Sequence, residues 1–314
     1  MSDTHDKFIA IRTEIAKAIV GNDAAISAVL VALLGSGHVL LEGAPGTAKT
    51  LLARSLAAAT SLPHTRVQFT PDLMPGDLTG SLVFADGTFT FRPGPVFTSV
   101  LLADEINRTP PKTQAALLEA MAEHHVSIDG SPKPLPDPFI VIATQNPIEY
   151  AGTYPLPEAQ VDRFMMKVSL SLPSREVELE VLTRHAAHFD PTQMETAGIT
   201  PVASAADVLA ARAEVAKVEV SEQVLGYIVD LVQATRHVPA VAAGSSPRGA
   251  TSLLAAARAW AWLQGRTFVT PDDVKGFALP TLAHRITLRS EAELDGARAS
   301  DVINQITSSV AVPR

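Results

Sequence analysis

An eight-residue segment that follows an apolar run has the residue types and spacing needed to bind phosphate. It reads GAPGTAKT over residues 43–50 and comes directly after Val39-Leu40-Leu41. Small residues let several backbone N–H groups point towards phosphate oxygens, and a helix that begins near Lys49 adds its positive end. Lys49 supplies a mobile cation, and the Thr50 hydroxyl can ligate Mg²⁺. The segment therefore predicts a nucleoside triphosphate-binding loop.

One position of this loop departs from the general pattern G-x-x-x-x-G-K-[ST]. Ala48 stands where the second glycine is expected. If the backbone there has a positive φ, the alanine methyl group costs about 1 kcal/mol or more. Taken alone, the octet is also compatible with a glycine-rich turn that only opens a helix.

A second segment supplies two carboxylates downstream of the loop. Residues 99–105 read SVLLADE, the pattern of a buried strand that ends in Asp104 and Glu105. Asp104 is expected to hold Mg²⁺ through water, because the ion dehydrates reluctantly. Glu105 is expected to orient and deprotonate the attacking water. An isolated apolar run ending in two carboxylates is more typical of a strand that meets a solvated turn, but the phosphate loop favours the catalytic interpretation.

A third apolar run, residues 139–144, ends at Gln145-Asn146-Pro147. Open α/β sheets bind their ligands at the carboxyl ends of the strands, so a polar amide there can reach a nucleotide. We therefore include Asn146 among the predicted catalytic residues.

Five segments together resemble the MoxR branch of the AAA+ ATPases, and the resemblance extends over nearly the whole chain. They are GAPGTAKT at 43–50, ADEINR at 103–108, PKTQ at 111–114, ATQNP at 143–147 and LPEAQVDRF at 156–164. MoxR-like loops commonly carry alanine at the position of Ala48. The resemblance implies an α/β fold, namely an AAA+ P-loop NTPase core with a mostly parallel sheet, followed by a small α-helical lid domain.

The same resemblance implies a function and partners. The chain is expected to hydrolyse ATP with Mg²⁺ and to form a homo-oligomeric ring, expected to be a hexamer. The ring would act as a chaperone that remodels or matures a client protein. MoxR-like proteins often act with von Willebrand factor A domain proteins, so that class is the expected partner, although no residue of this chain identifies it.

The resemblance also implies roles for residues outside the loop. Val20 and Gly21 match the entry on the adenine side. Arg163 matches the arginine that reaches the neighbouring subunit's nucleotide, where a planar guanidinium suits the charge on the γ-phosphoryl group. Arg248 matches the lid's sensor-2 arginine. Because a helix N-terminus disfavours a cation, we expect an anion beside Arg248, either the γ-phosphate or a carboxylate of the core. The nucleotide-binding residues are completed by Gly43, Ala44, Pro45, Gly46, Thr47, Ala48, Lys49, Thr50 and Leu51.

A sheet must position these residues, and the order of elements predicts one. Residues 1–171 alternate strands and helices, which predicts a sheet with helices on both faces. The predicted strands lie near 38–42, 66–69, 99–104, 139–144 and 166–171. Residues 172–290 have helical apolar spacing and are assigned to the lid, with helices over 204–217, 221–237 and 247–264 and another from Thr270. Residues 291–314 are predicted to form a helical tail.

Two short hairpins are predicted inside the core. Residues 82–85 and 88–91 flank Asp86-Gly87, a two-residue turn signal, and this register places four apolar side chains on one face: Leu82, Phe84, Phe89 and Phe91. Residues 126–128 and 131–135 flank a second turn, Asp129-Gly130. In the AAA+ clade that contains MoxR, hairpins at these places face the centre of the ring. The alternative is that the aromatic face packs on its own domain.

The composition limits the class of function. Of 314 residues, 46% are hydrophobic, which excludes disorder across the chain, and the net charge of −8 gives no basic footprint for nucleic acid. Absence of cysteine excludes disulfides and fits a reducing compartment. The start is unlike a signal peptide, and Gly35-Ser36-Gly37-His38 interrupts the uncharged stretch 24–41. We therefore expect a cytoplasmic protein without nucleic acid or membrane insertion.

Two alternative functions use the same motifs. One is a magnesium-chelatase-type assembly ATPase of the same clade. The other is a nucleotide-binding switch with negligible turnover, which steady-state ATPase activity would distinguish from a motor.

Overall fold

The computed structural model describes residues 2–85, 87–146, 152–190 and 193–313. The strands are β1 (Val39–Gly43), β2 (His64–Gln68), β3 (Gly80–Ala85), β4 (Thr88–Pro93), β5 (Val100–Asp104), β6 (His125–Ile128), β7 (Ser131–Pro134), β8 (Ile140–Gln145), β9 (Met166–Leu170), β10 (Val241–Ala243) and β11 (Thr287–Leu288). The helices are α1 (Asp3–Ala18), α2 (Asp23–Leu34), α3 (Lys49–Thr60), α4 (Pro75–Thr79), α5 (Pro111–Glu123), α6 (Glu158–Val161), α7 (Arg175–Ala186), α8 (Ala205–Val215), α9 (Glu222–His237), α10 (Pro247–Leu263), α11 (Pro271–Leu282), α12 (Ser290–Leu294) and α13 (Ala299–Ser309).

The main sheet has five strands in the order β2-β5-β8-β1-β9, and every pairing within it is parallel. All five strands predicted from the apolar runs are present, with ends that differ by up to two residues. The order places β1 between β8 and β9, and β5 between β2 and β8. The carboxyl ends of the phosphate-loop strand and the carboxylate strand therefore meet at one edge, on either side of β8.

Alternate residues of these strands enter two hydrophobic cores. Val39 and Leu41 pack with α1, α2 and α3, whereas Leu40 packs on the opposite face with α5. This alternation follows from the two-residue period of a strand, and both faces are apolar because helices cover both. The predicted α/β layering is confirmed.

Serine and threonine caps define the starts of three lid helices, and Pro247 begins the fourth, α10. Ser204 Oγ accepts from the Asp207 N–H, and the Asp207 carboxylate accepts from the Ser204 N–H, which forms a capping box at α8. Ser221 caps α9, and Thr270 caps α11. The four predicted lid helices are thus present as α8 to α11.

The first helix packs against the lid. The ring centroids of His5 and Phe8 lie 5.2 and 5.4 Å from that of Trp262 on α10, and Lys7 forms an ion pair of 2.8 Å with Asp207 on α8. At the other end of the chain, α13 buries Val302, Ile303 and Ile306.

The two predicted hairpins are confirmed by β3–β4 and β6–β7. Leu82 is opposite Phe91 and Phe84 is opposite Phe89, as predicted; Asp86 of the turn lies outside the described residues. Phe84 and Phe89 are 63% and 69% exposed, with ring centroids 5.0 Å apart, so the end of this face does not pack on its own domain. Phe91 instead packs on Phe97 at 5.4 Å.

The break predicted at Gly35–His38 is present, because α2 ends at Leu34 and β1 begins at Val39. Within the described part of the chain, none of the helices has both the length and the apolarity required to span a bilayer.

Candidate nucleotide-binding site

The phosphate loop joins β1 to α3 and uses two left-handed residues. Gly46 has φ +82° and Ala48 has φ +62°. The position of the missing glycine therefore does require a positive φ, and Ala48 bears a strain of about 1 kcal/mol. Gly43 is needed for another reason, since a Cβ there would lie 2.8 Å from Leu170 O.

Lys49 points back into this loop. Its Nζ donates to Gly43 O and Ala44 O over 2.7 and 2.8 Å. Burial lowers the pKa of Lys49, and the charges of Asp104 and Glu105 oppose that shift. The ammonium is thus held where the loop would receive phosphate oxygens.

One buried hydroxyl contacts both acidic residues. Thr144 Oγ1, on β8, donates to Asp104 Oδ1 over 2.6 Å and accepts from the Glu105 N–H over 2.9 Å. Thr144 is fully buried, and Glu105 has φ +58°, so the chain turns sharply after β5. The Thr144 hydroxyl therefore orients the Asp104 carboxylate and holds the backbone of Glu105 at the turn.

The donor set beside the loop fits Mg²⁺. Thr50 Oγ1 lies 3.3 Å from Asp104 Oδ2. Both are oxygen donors, which a small hard cation prefers, and few protein ligands are required because Mg²⁺ keeps several waters. Thr50 and Asp104 are therefore the residues that would hold the ion.

A cavity of about 480 Å³ opens over the loop. It brings together most of the predicted site: Val20, Pro45, Gly46, Thr47, Ala48, Lys49, Thr50, Leu51, Asp104, Glu105 and Asn146. Gly21, Gly43 and Ala44 lie next to these residues in the chain but do not line the cavity. Asn146 is 6% exposed, and Pro147 of the same motif lies outside the described residues.

Helix α7 contributes a wall of the cavity that was not predicted from the sequence. Val177, Val181 and His185 line it, followed by Phe189, whose ring centroid is 5.6 Å from that of His185. A Cβ on Gly21 would lie 2.6 Å from Val177 Cγ2, which explains the glycine. This apolar end of the cavity suits the nucleobase of a nucleotide. The apolar residues of α7 have no periodic pattern that would predict this wall, because none of the helix is buried.

Two polar residues of β2 were also missed. Arg66 donates to Asp104, and Gln68 Nε2 donates to Glu105 Oε2 over 2.5 Å. Arg108 Nη1 also donates to Glu105 Oε2, over 3.0 Å. Arg66 and Gln68 alternate along one strand, but only the adjacency of β2 and β5 shows where they point.

The structure does not bring Arg163 and Arg248 to this cavity. Arg163 Nη1 donates to Leu118 O over 2.6 Å, and Arg248 Nη1 lies 3.9 Å from Asp162 Oδ2. Both line a separate cavity of about 280 Å³. Of the two expected anions, the structure contains the carboxylate of the core, which is that of Asp162.

Comparison with protein families matches residues 38–166 to the ATPase family associated with various cellular activities (AAA) and residues 233–306 to the AAA lid domain. An uncharacterized protein of Bacillus subtilis (strain 168), YeaC, is 47% identical over 90% of this chain and 88% of its own length. Chaperone MoxR1 of Mycobacterium tuberculosis (strain H37Rv) is 42% identical over 96% of this chain and 81% of its own. A crystal structure of a candidate ATPase from Cytophaga hutchinsonii has a TM-score of 0.90 and 41% identity, covering 99% of this chain and 96% of that one.

Proposed function

Because this chain belongs to the MoxR family of AAA+ ATPases, we propose that it hydrolyses ATP with Mg²⁺ in a homo-oligomeric ring, expected to be a hexamer. The ring would remodel or mature a client protein in the cytoplasm. The observation that carries the proposal is that Lys49, Thr50, Asp104 and Glu105 line one cavity. A cation, a hydroxyl and two carboxylates at one sheet edge are the groups that phosphoryl transfer requires.

Each of these residues has a chemical role in the proposal. The loop N–H groups and Lys49 bind the β- and γ-phosphates, and Mg²⁺ held by Thr50 and Asp104 neutralises phosphate charge when bound. Glu105 accepts the proton of the attacking water, while Asn146 orients the water or the γ-phosphate. The apolar wall from Val177 to Phe189 receives the adenine.

The positions of the two arginines support action between subunits. Neither Arg163 nor Arg248 lines the cavity of its own chain, yet they share one cavity with each other. We propose that both serve the neighbouring subunit's nucleotide, where Arg163 stabilises the charge of the transition state. A ring then follows, because each site is incomplete without the next chain.

Two substitutions test the hydrolysis itself. Lys49→Ala should abolish tight ATP binding, because only backbone dipoles and Mg²⁺ would remain to compensate the phosphate charge.

Glu105→Gln keeps the shape of the side chain but removes the base, so ATP should bind while turnover falls by about 10² or more. Steady-state ATPase assays and equilibrium binding measure both. Wild-type turnover by the Glu105→Gln protein would contradict the role of Glu105, and negligible turnover by the unmodified protein would favour a nucleotide switch.

The client can be sought with the same variants. Glu105→Gln protein loaded with ATP should retain its client, and a von Willebrand factor A domain protein is the proposed class. Lys49→Ala protein is the matched control, because it carries the same surface without bound ATP. Proteins captured equally by both variants would not be clients of the ATP state.

A further inference from the structure

Arg66 contacts the carboxylate assigned to Mg²⁺, although it lies on a neighbouring strand. β2 and β5 pair in parallel, with Arg66 opposite Leu102 and Gln68 opposite Asp104. Arg66 Nε and Nη2 both donate to Asp104 Oδ2, over 3.0 and 2.7 Å. One oxygen therefore accepts two charge-assisted hydrogen bonds from one guanidinium.

That oxygen lies on the side of the carboxylate expected to face the metal. Thr50 Oγ1, the other group that would hold Mg²⁺, donates to the same Oδ2, whereas Oδ1 accepts from Thr144. The Asp104 side chain is 9% exposed and that of Arg66 is 53% exposed. The carboxylate is thus fixed, while the guanidinium has solvent into which it can withdraw. The guanidinium and Mg²⁺ with its water shell cannot both use this oxygen fully, because the two cations repel each other and their hydrogen-bond donors compete for the same lone pairs.

Arg66 also connects Asp104 with the proposed base. Its Nη2 donates to Gln68 Oε1 over 3.1 Å, and Gln68 Nε2 donates to Glu105 Oε2. A continuous series of hydrogen bonds therefore runs from the metal-side oxygen to Glu105. Withdrawal of Arg66 removes the donor that orients the Gln68 amide.

We propose that Arg66 competes with Mg²⁺ for Asp104 Oδ2, so that loading of the ion displaces its guanidinium. The inference rests on the proposed function, because it requires that the cavity takes Mg²⁺ with a nucleotide. Arg66 is then a positioning residue that acts through Asp104 and Gln68. When Mg²⁺ displaces Arg66 from Asp104, the hydrogen bonds around Glu105 change as well.

Calorimetric binding of ADP tests this without any turnover. The quantity measured is the ratio of the Kd in EDTA to the Kd in Mg²⁺. Because free ADP carries more negative charge than its Mg²⁺ complex, removal of any nearby cation raises this ratio to some extent, and Arg184→Gln measures that general effect of charge. Arg66→Gln removes the competitor, so the ratio should rise by about fivefold, the upper range for a partly exposed ion pair. Arg66→Lys keeps a cation and should stay near the wild-type ratio. Arg184→Gln is the control, because it removes a charge from the opposite wall, where Arg184 pairs with Glu180.

A ratio in Arg66→Gln that is unchanged, smaller, or no larger than the ratio in Arg184→Gln would overturn the proposal. If the wild-type protein binds no ADP in either buffer, the proposed function fails and this inference fails with it; if it binds ADP and the ratio does not respond, only the inference fails. A crystal structure of the wild-type protein with Mg²⁺ and ADP decides the matter even if Arg66→Gln does not fold. Withdrawal of Arg66 from Asp104 Oδ2 would support competition, and retention of both hydrogen bonds would refute it.

Discussion

Ala48 holds a left-handed conformation directly before the lysine of the phosphate loop. Replacement by glycine removes the clash of the methyl group, although it also gives the unfolded chain more freedom. We expect Ala48→Gly to raise the free energy of unfolding by up to about 0.6 kcal/mol, because about 1 kcal/mol of strain is removed and about 0.4–1 kcal/mol is lost to the freer unfolded chain. Urea unfolding measures it.

Ala58 offers the matched control for this change, because it lies inside α3 with helical dihedrals. Ala58→Gly should lower the free energy of unfolding by about 0.5–1 kcal/mol. Equal destabilisation by both substitutions would mean that the loop alanine carries no strain.

The burial of His38 predicts that the folded protein loses stability in acid. The ring is buried; Nδ1 accepts from the Val141 N–H and Nε2 donates to Met121 O. Burial lowers the pKa of His38 from 6.5 to about 4. Between these values the unfolded chain binds more protons than the folded one, so stability falls as the pH drops through this window and levels off below about pH 4.

The contribution of His38 reaches at most about 3.5 kcal/mol, since one pKa unit corresponds to about 1.4 kcal/mol. His284, whose pKa is lowered by burial to about 3, acts in the same direction. His38→Asn does not titrate, so its unfolding free energy should change less between pH 6.5 and 4 than that of the wild-type protein. An identical pH dependence of the two proteins would exclude His38 as a cause.

At the scale of elements, the two ends of the aromatic face of the β3–β4 hairpin differ in burial. Phe89 is exposed, whereas Phe91 packs on Phe97 and lies 5.8 Å from the Lys133 ammonium of the β6–β7 hairpin. Phe89→Ala should therefore leave the Tm nearly unchanged, and Phe91→Ala should lower it. If the exposed end is a working surface, Phe89→Ala should also reduce the client retained by Glu105→Gln protein.

Thr90→Ala is the control for the hairpin, because Thr90 is also exposed and lies between the two phenylalanines on the other face. A large fall in Tm for Phe89→Ala would show that the exposed end is part of a packed core. Unchanged client retention together with an unchanged Tm would remove the hairpin tip from the working surface.

The sequence predicted those elements whose signals are local. Apolar runs gave the five strands of the sheet, serine and threonine caps gave the lid helices, and the Asp-Gly turns gave the hairpins and their register. Site residues were predicted where one contiguous motif contains them, as in residues 43–50. Arg66 was not predicted as a site residue, because its contact with Asp104 depends on which strands are neighbours. The helix at 175–186 was not predicted as a wall of the cavity, because its apolar residues share no buried face.

At the scale of the whole molecule, the lid fixes the segment that carries Arg163. Arg285 comes from the turn after α11, and its side chain is 1% exposed. Its Nε donates to Asp162 Oδ1 over 2.8 Å, and its guanidinium also donates to Phe164 O and Met165 O. The residues on both sides of Arg163 are therefore held by a lid arginine, and movement of the lid would move Arg163.

This arrangement leads to the central claim that one active site is built from two chains. In this proposal, Lys49, Thr50, Asp104 and Glu105 of one subunit would act with Arg163 of the next. Arg163→Ala should leave nucleotide affinity nearly intact but lower turnover by about 10³ or more, as expected for an arginine that stabilises the transition state.

Mixing two inactive variants tests this claim most directly. Arg163→Ala protein and Lys49→Ala protein should each be nearly inactive alone. In a mixed ring, some sites combine an intact Lys49 from one subunit with an intact Arg163 from the next, so we expect ATPase activity to return in part as the two are titrated together. An arginine that acts within its own subunit cannot produce this rescue. Verified exchange of subunits without recovered activity would contradict the composite site and would leave Arg163 a same-chain or structural residue.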